Sequence, residues 1–352
     1  MAALPVFDAS AQIKPQWHIR VSEARHRYMS PAVFGDSVYV AGEDYLMRLD
    51  HGKRTWRANT ERHFSSGVGT DGEIAVVASE RGDVFAYDAK NGKLRWQAKV
   101  SSTVLAAPTV RDGLVLVRSI DNAVYAFDNV DGGQRWVFQR SAPSLEVRSA
   151  ASPLVAGGYV MLGMPGGKLI ALNLSSGVLQ WEGVVARPRG VTPLDRIADV
   201  AAPPVIEANV ICAVAYQGSL ACFDLAAAGK KLWSRPLSSF AGLDIDEGVV
   251  YVSDDQDSVY AFDKLNGKPR WEQKSLFLRR LSKPVVVGKH VVVGDKTGVL
   301  HYLNRNDGSF AANFNTSAGA ITLAPRRQGY TLIVQTQEGA VYALEADDTG
   351  KQ

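Results

Sequence analysis

The stretch Val259-Tyr-Ala-Phe-Asp-Lys-Leu-Asn-Gly267-Lys-Pro-Arg-Trp271 decides how this chain folds. An apolar and aromatic run ends in an aspartate, a glycine follows four residues later, and a tryptophan stands four residues after the glycine. Valine, tyrosine, phenylalanine and tryptophan favour β-strands, whereas aspartate, asparagine and glycine favour the turns between strands. The stretch therefore predicts two short strands joined by a turn, with the tryptophan in the second strand.

The same pattern recurs along the whole chain of 352 residues. The seven tryptophans follow one another at intervals of 39, 40, 40, 45, 52 and 38 residues. Six of them have a glycine four positions earlier: Gly52 before Trp56, Gly92 before Trp96, Gly132 before Trp136, Gly177 before Trp181, Gly229 before Trp233 and Gly267 before Trp271. A unit of about 40 residues with four short strands is typical of one blade of a β-propeller.

The two ends of the chain complete the repeat. A seventh copy reaches Ala312 at the tryptophan position, with Phe310 two residues earlier on the same face of a strand. An eighth copy begins at Pro325 and lacks its last strand, while Trp17 has no repeat before it. The sequence therefore predicts an all-β, eight-bladed β-propeller whose ring is closed by the N-terminal strand, which completes the last blade and leaves no open edge.

Eight such units consume nearly all of the chain, so there is no room for a second domain. We expect an N-terminal tail over residues 1–12, a single propeller domain over residues 13–347, and a C-terminal tail over residues 348–352.

Composition excludes several classes of function. The chain has 39 Lys and Arg against 36 Asp and Glu, a net charge of +3, which excludes a strongly basic nucleic-acid binder. No apolar run is long enough for a transmembrane helix. The first residues lack the charged and apolar regions of a signal peptide, which is typical of a cytosolic protein or of a mature region whose targeting segment has been removed.

The motif Ala-Phe-Asp-x-x-x-Gly-x-x-x-Trp, present from Ala126 to Trp136 and from Ala261 to Trp271, resembles the tryptophan-docking repeat of PQQ-like propellers. Within that superfamily the chain resembles the BamB family over residues 13–345. The likeness is sharpest at 143–148, at 194–199 and from 278 to 298. BamB proteins are lipoprotein subunits of the outer-membrane β-barrel assembly machinery. The resemblance implies a non-catalytic scaffold without a cofactor, at the periplasmic face of the outer membrane. Membrane contact would come only through a lipid anchor that is absent from this chain.

Repeat spacing points to one functional region without reference to any family. The two longest tryptophan intervals, 45 and 52 residues, place extra length after Trp136 and after Trp181. Consecutive connections of the same kind lie side by side on one face of a propeller. Their segments 140–148 and 187–199 mix aliphatic and charged residues, which is typical of a protein-docking patch and also of ordinary long loops.

In the BamB family these two loops contact the periplasmic POTRA region of BamA. The resemblance implies the following partner-binding residues: Leu145, Val147, Arg148, Leu194, Asp195, Arg196 and Asp199. We expect an apolar anchor from Leu145 and Val147, with Arg148 and Asp199 fixing the register through charge-assisted hydrogen bonds. Ala201 replaces a second acidic residue of the family pattern. Other assembly-machinery subunits, and unfolded outer-membrane proteins paired with a strand edge, are further expected partners.

A PQQ-binding oxidoreductase or sensor is the alternative class. Such enzymes carry adjacent cysteines, whereas Cys212 and Cys222 lie ten residues apart around a turn. We interpret them as small core residues, with a cross-strand disulfide as the open alternative. No spacing suggests a calcium site or a His-based metal site, so no cofactor or metal is predicted.

Two remaining segments have simple interpretations. The acidic run from Asp254 to Asp257 falls where each blade has a hairpin, which favours a solvated turn. The segment Leu276–Leu281 is amphipathic and follows a tryptophan, which favours a connection between blades over contact with lipid headgroups.

Overall fold

The computed structural model describes residues 1–21, 29–141 and 145–348. Within these ranges the chain is built from β-strands and turns, without a helix, and so offers no helix of the length and apolar character that crossing a bilayer requires.

The strands of the first half are β1 (Ala11–Arg20), β2 (Ala32–Phe34), β3 (Ser37–Ala41), β4 (Tyr45–Asp50), β5 (Lys53–Asn59), β6 (Gly69–Thr70), β7 (Ile74–Ala78), β8 (Asp83–Asp88), β9 (Leu94–Lys99), β10 (Thr109–Arg111), β11 (Leu114–Arg118), β12 (Val124–Asp128), β13 (Gln134–Phe138), β14 (Leu154–Ala156), β15 (Tyr159–Met164), β16 (Lys168–Asn173) and β17 (Leu179–Val184). The strands of the second half are β18 (Val205–Glu207), β19 (Val210–Val214), β20 (Ser219–Asp224), β21 (Lys230–Pro236), β22 (Gly242–Asp246), β23 (Val249–Ser253), β24 (Val259–Asp263), β25 (Pro269–Gln273), β26 (Val285–Val287), β27 (His290–Gly294), β28 (Val299–Asn304), β29 (Phe310–Asn315), β30 (Arg326–Gln328), β31 (Thr331–Gln335) and β32 (Ala340–Asp348).

These strands form eight four-stranded antiparallel sheets within the described ranges, and each sheet is one blade. Seven blades use four consecutive strands, and the eighth has the order β1-β32-β31-β30. The prediction of an eight-bladed propeller closed by the N-terminal strand is thus confirmed. Strand β1 begins at Ala11 and β32 ends at Asp348, so the terminal strands extend slightly beyond the expected bounds of 13 and 347.

Every tryptophan packs on a glycine of the next blade. A Cβ atom added to Gly267, for example, would lie 2.6 Å from Cδ2 of Trp233, so only glycine admits the ring at this distance. The docked pairs are Trp17–Gly52, Trp56–Gly92, Trp96–Gly132, Trp136–Gly177, Trp181–Gly229, Trp233–Gly267 and Trp271–Gly308. The repeated Gly and Trp spacing therefore encodes the contact between blades, and Trp17 supplies it for the shared eighth blade.

The seventh blade lacks a tryptophan and is covered differently. Ala312 lies opposite Tyr302, as Trp271 lies opposite Ala261 one blade earlier. Phe310 is partly buried and stacks on Phe7, with ring centroids 5.3 Å apart. The residues before β1 therefore lie against the strand where the tryptophan is missing.

Cys212 and Cys222 lie directly opposite each other on β19 and β20 and form a disulfide. Both are fully buried, as expected of small core residues. The open alternative, a cross-strand disulfide, is the one that the structure contains. The antiparallel register of the hairpin places their Cα atoms 4.1 Å apart.

Candidate docking surface

Two long connections carry the predicted partner-binding residues. Residues 139–153 join β13 to β14, and residues 185–204 join β17 to β18. Each connection runs from the outer strand of one blade to the inner strand of the next, so both lie on the same face of the ring. We call the exposed residues of these two connections, within the described part of the chain, the docking surface. Residues 142–144 lie outside the described residues, and two of them, 143 and 144, belong to a segment of sharp family likeness.

The buried side chain of Asp199 joins the two connections by a hydrogen bond. Its side chain is only 3% exposed. One carboxylate oxygen accepts a hydrogen bond from the backbone amide of Val147 at 2.7 Å, and the other accepts one from the amide of Gly166 at 2.9 Å. The hydroxyl of Ser149 adds a hydrogen bond to the carbonyl of Ala201 at 3.0 Å. Asp199 thus holds the loops and does not present its carboxylate at the surface.

Arg118, at the end of β11, supports the first connection. It is buried, and its guanidinium donates to the hydroxyl of Ser149 at 3.3 Å and to the side-chain oxygen of Asn122 at 2.9 Å. Asn122 in turn donates to Glu146 at 2.7 Å. Burial lowers the pKa of Arg118 to about 10, against the opposing effect of Glu146 and Asp199, so the guanidinium stays charged at neutral pH.

The same burial raises the pKa of Glu146. Arg118 is not among the residues predicted from the sequence. The sequence does carry a sign of its role, because Arg118 directly follows the apolar run Leu114–Val117 within one strand. A charged side chain at such a buried position needs hydrogen-bonding partners.

Most of the other predicted residues reach the surface. Leu145 is 45% exposed and Leu194 is 65% exposed. Arg148, Asp195 and Arg196 are also exposed, whereas Val147 is partly buried. The two connections therefore place two exposed leucines among charged side chains, whereas Val147, the second residue of the expected apolar anchor, is less exposed.

Asp195 shapes the tip of the second connection. Its carboxylate accepts hydrogen bonds from the hydroxyl of Thr192 at 2.7 Å and from the backbone amide of Thr192 at 3.1 Å. These bonds lower the pKa of Asp195. The turn that they close presents Leu194 to solvent.

The acidic turn after β23 is more than a solvated turn. Asp255 accepts a hydrogen bond from the backbone amide of Phe240 at 2.9 Å. Asp257 is buried and accepts one from the amide of Leu281 at 2.7 Å. The prediction of a solvated turn was wrong for Asp257, because its buried carboxylate binds the backbone of the connection between β25 and β26.

The segment Leu276–Leu281 is a connection between blades, as predicted. Leu276, Arg279 and Leu281 are buried, while Phe277 and Leu278 are about half exposed. Arg279 donates to Asp295 at 2.7 Å and to the backbone carbonyl of Ala2 at 2.9 Å. The amphipathic pattern thus reflects one side packed on the ring and one side facing solvent.

A central channel of about 1410 Å³ runs between the inner strands of the blades. Its charged wall residues include Lys283 and Asp244, and burial lowers the pKa of Lys283. Asp244 accepts a hydrogen bond from the amide of Val286 at 2.9 Å. Among the described residues, no group of three or more His, Cys, Asp or Glu side chains is placed to hold a metal ion.

Comparison with known proteins assigns the family. The family model described as outer membrane protein assembly factor BamB matches residues 42–273. The chain belongs to the BamB family. The BamB protein of Bordetella pertussis is 37% identical over 98% of this chain and 90% of its own length. The BamB protein of Escherichia coli is 32% identical over 98% of this chain and 92% of its own length.

Solved structures agree with this assignment. The crystal structure of BamB from Moraxella catarrhalis has a TM-score of 0.89 and 27% identity, and the match covers 95% of this chain and 100% of that one. The quinohemoprotein alcohol dehydrogenase of Comamonas testosteroni has a TM-score of 0.75 at 14% identity, over 94% of this chain and 76% of that one. The second likeness shows a shared propeller fold alone.

Proposed function

We propose that this protein is a non-catalytic scaffold subunit of the outer-membrane β-barrel assembly machinery. In this proposal the docking surface binds the periplasmic POTRA region of BamA and so assists the folding and insertion of outer-membrane β-barrel proteins. The observation that carries the proposal is the pair of adjoining connections, tied together by Asp199, in a chain of the BamB family. The curated relatives are named as assembly factors, which supports a role without catalysis.

The proposed mechanism is rigid display. Binding is weakened by the entropy lost when loops become ordered, so loops that are already held by buried hydrogen bonds lose less. Asp199 and Arg118 supply those bonds beneath the surface. Leu145 and Leu194 are then free to fill apolar pockets of the partner, while Arg148 and Arg196 favour the correct orientation by charge.

We further propose that the protein acts in the periplasm, at the outer membrane, as one propeller domain over residues 13–347. The buried Cys212–Cys222 disulfide supports an oxidising compartment. In the full-length protein a lipid anchor would hold it at the membrane. Other machinery subunits and unfolded β-barrel substrates are the further partners.

A binding measurement with the purified periplasmic region of BamA tests the proposal. We expect saturable binding by the wild-type chain, and a loss of about tenfold or more for the double variant Leu194→Ala, Arg148→Glu. Both residues are exposed, so the variant should fold normally. Tyr330→Ala is the control and should bind like the wild type. Tyr330 is an exposed aromatic residue in the turn between β30 and β31, on the face of the ring opposite the docking surface.

Two results would contradict the proposal. The first is an absence of binding by the wild-type chain. The second is equal binding by the double variant and the wild type. Titration of the same preparation with PQQ and Ca²⁺ distinguishes the oxidoreductase alternative, since a scaffold without cofactor should show no saturable binding.

A further inference from the structure

Among the described residues of the connections between blades, the exposed large apolar side chains lie in one half of the rim that carries the docking surface. They lie in four consecutive connections between blades, at 139–153, 185–204, 237–241 and 274–284. These side chains are Leu145, Val191, Leu194, Phe240, Phe277 and Leu278. The described residues of the other connections, including 60–68, 100–108 and 316–325, contribute none. The exposed apolar side chains therefore extend over four connections, two more than were predicted from the sequence to bind a partner.

Phe240 is the exposed aromatic residue nearest to the docking surface along this rim. Its side chain is 44% exposed, and its ring lies edge-on to that of Tyr216 with centroids 6.5 Å apart. The backbone amide of Tyr216 donates to the carbonyl of Asp199 at 2.8 Å. Phe240 is thus linked through one residue to the aspartate that holds the docking surface.

The short connection 237–241 is also held by side-chain hydrogen bonds. Asp255 accepts hydrogen bonds from the amide of Phe240 and from the hydroxyl of Ser238. Ser238 also accepts a hydrogen bond from the backbone amide of Gln217 at 2.7 Å. Phe240 is therefore presented on an ordered loop, where little entropy remains to be lost on binding.

The turn around Gln217 joins this loop to the second connection. In the amide orientation that satisfies its neighbours, the Gln217 side chain donates to the carbonyls of Leu194 at 3.2 Å and Ile197 at 3.0 Å. A continuous set of hydrogen bonds thus runs from the Leu194 loop to the Phe240 loop. One partner surface would meet both.

We propose that Phe240 is a third anchor of the docking surface and that it inserts into an apolar pocket of the same periplasmic partner. This inference rests on the proposed function. Protein interfaces concentrate their binding energy in buried aromatic residues near the centre, and the described residues of the two predicted connections present no aromatic side chain. Phe240 supplies the missing aromatic contact beside Leu194.

The acidic charge next to Phe240 favours a protein over a membrane as the partner at this position. The carboxylate of Asp255 is exposed beside Phe240, and Asp254 precedes it in the same turn. Acidic side chains oppose contact with anionic lipid headgroups. They match a partner pocket that is flanked by lysine or arginine.

Binding of the Phe240→Ala variant to the BamA periplasmic region tests this inference. We expect affinity to fall by about tenfold or more, with an unchanged melting temperature, because the ring is exposed. Phe34→Ala is the matched control. Phe34 is 51% exposed and is the last residue of β2, next to the turn between β2 and β3. This turn lies on the face of the ring opposite the docking surface, so the variant should bind like the wild type.

A photo-crosslinking residue at position 240 provides a direct readout of proximity. It should crosslink to the partner, whereas the same residue at position 34 should not. If the wild type binds and Leu194→Ala, Arg148→Glu does not, but Phe240→Ala keeps full affinity and position 240 gives no crosslink, the third anchor is wrong and the proposed function stands. If the wild type fails to bind, both fail. Capture by anionic phospholipid vesicles that depends on Phe240, without an effect on the partner, also overturns the third anchor.

Discussion

Single residues carry the packing between blades. Gly267 has φ of +67° and lies against the ring of Trp233, whereas Gly113 has φ of +79° and has no atom near its missing Cβ. Both positions favour glycine because their φ angles are positive, and only Gly267 also lacks the space for a Cβ atom. The two sites therefore separate backbone strain from the cost of displacing a tryptophan.

We expect Gly113→Ala to lower the free energy of unfolding by about 1–2 kcal/mol through left-handed strain alone. Gly267→Ala should lose about 1–3 kcal/mol more, because the new methyl group would meet Trp233 at 2.6 Å. Urea denaturation of the two variants measures the difference. Equal losses would show that tryptophan docking does not depend on the glycine.

Asp295 is a buried charge in the turn between β27 and β28 of the seventh blade. Burial alone would raise its pKa, but hydrogen bonds from His301, Thr297, the amide of Val299 and Arg279 outweigh burial and hold the pKa of Asp295 well below its usual range. A carboxyl group whose pKa is depressed in the folded state stabilises the fold above its unfolded pKa. That contribution is lost as the pH falls through the unfolded value towards the folded one.

We therefore expect Asp295→Asn to cost about 3–5 kcal/mol at neutral pH, since Arg279 would be left buried without its charge partner. The difference between the variant and the wild type should shrink below about pH 4, where the unfolded carboxyl group binds a proton. Chemical denaturation at a series of pH values measures it. A difference that stays constant from neutral to acid pH would contradict the assigned depression of the pKa.

At the scale of elements, Asp199 is one of the side chains that join the two long connections. Asp199→Asn keeps the shape of the side chain but replaces one acceptor oxygen by a donor. It therefore leaves the amide of Val147 or of Gly166 without a partner. We expect a loss of about 1–3 kcal/mol in the free energy of unfolding and faster hydrogen exchange at whichever of the two amides loses its acceptor. Binding of BamA should weaken although Leu145 and Leu194 are unchanged.

Asp195→Asn is the matched control for this prediction, because Asp195 is exposed and its bonds stay within one turn. Its effect on global stability should be small. If Asp199→Asn leaves the stability and the exchange of both the Val147 and Gly166 amides unchanged, the hydrogen bonds of Asp199 are not what orders the connections. A charge reversal at Asp199 would be a poor test of docking, since the site is buried.

The strands and the tryptophan contacts between blades were predictable from sequence, whereas the hydrogen bonds between neighbouring connections were not. The Gly and Trp spacing is local and recurs with every unit, so the blade count and the closing role of Trp17 followed from it. Asp199 and Asp257 have the local sequence of surface turn residues, yet each accepts an amide hydrogen from a neighbouring connection. Such bonds depend on distant backbone positions. A pattern within one repeat therefore gives no sign of them.

At the scale of the whole molecule, the ring is held closed by a strand from the other end of the chain. Strand β1 pairs with β32 from Ala11 opposite Asp348 to Arg20 opposite Ala340. Trp17 also packs on Gly52 of the first blade, so one strand completes the eighth blade and joins it to its neighbour. Without β1, the strand β32 would become an open edge, which is a template for pairing with other chains.

Deletion of residues 1–20 should therefore lower the free energy of unfolding by about 3 kcal/mol or more, from the loss of the Trp17 contact alone. It should also produce oligomers through the exposed edge of β32. Deletion of residues 2–9 keeps β1 and removes the Phe7 stack, so it is the matched control and should remain monomeric. Light scattering and thermal denaturation measure both effects, and a synthetic peptide covering residues 10–21 should restore the monomer. If the chain without residues 1–20 melts like the control and stays monomeric, the ring does not depend on the shared blade for its closure.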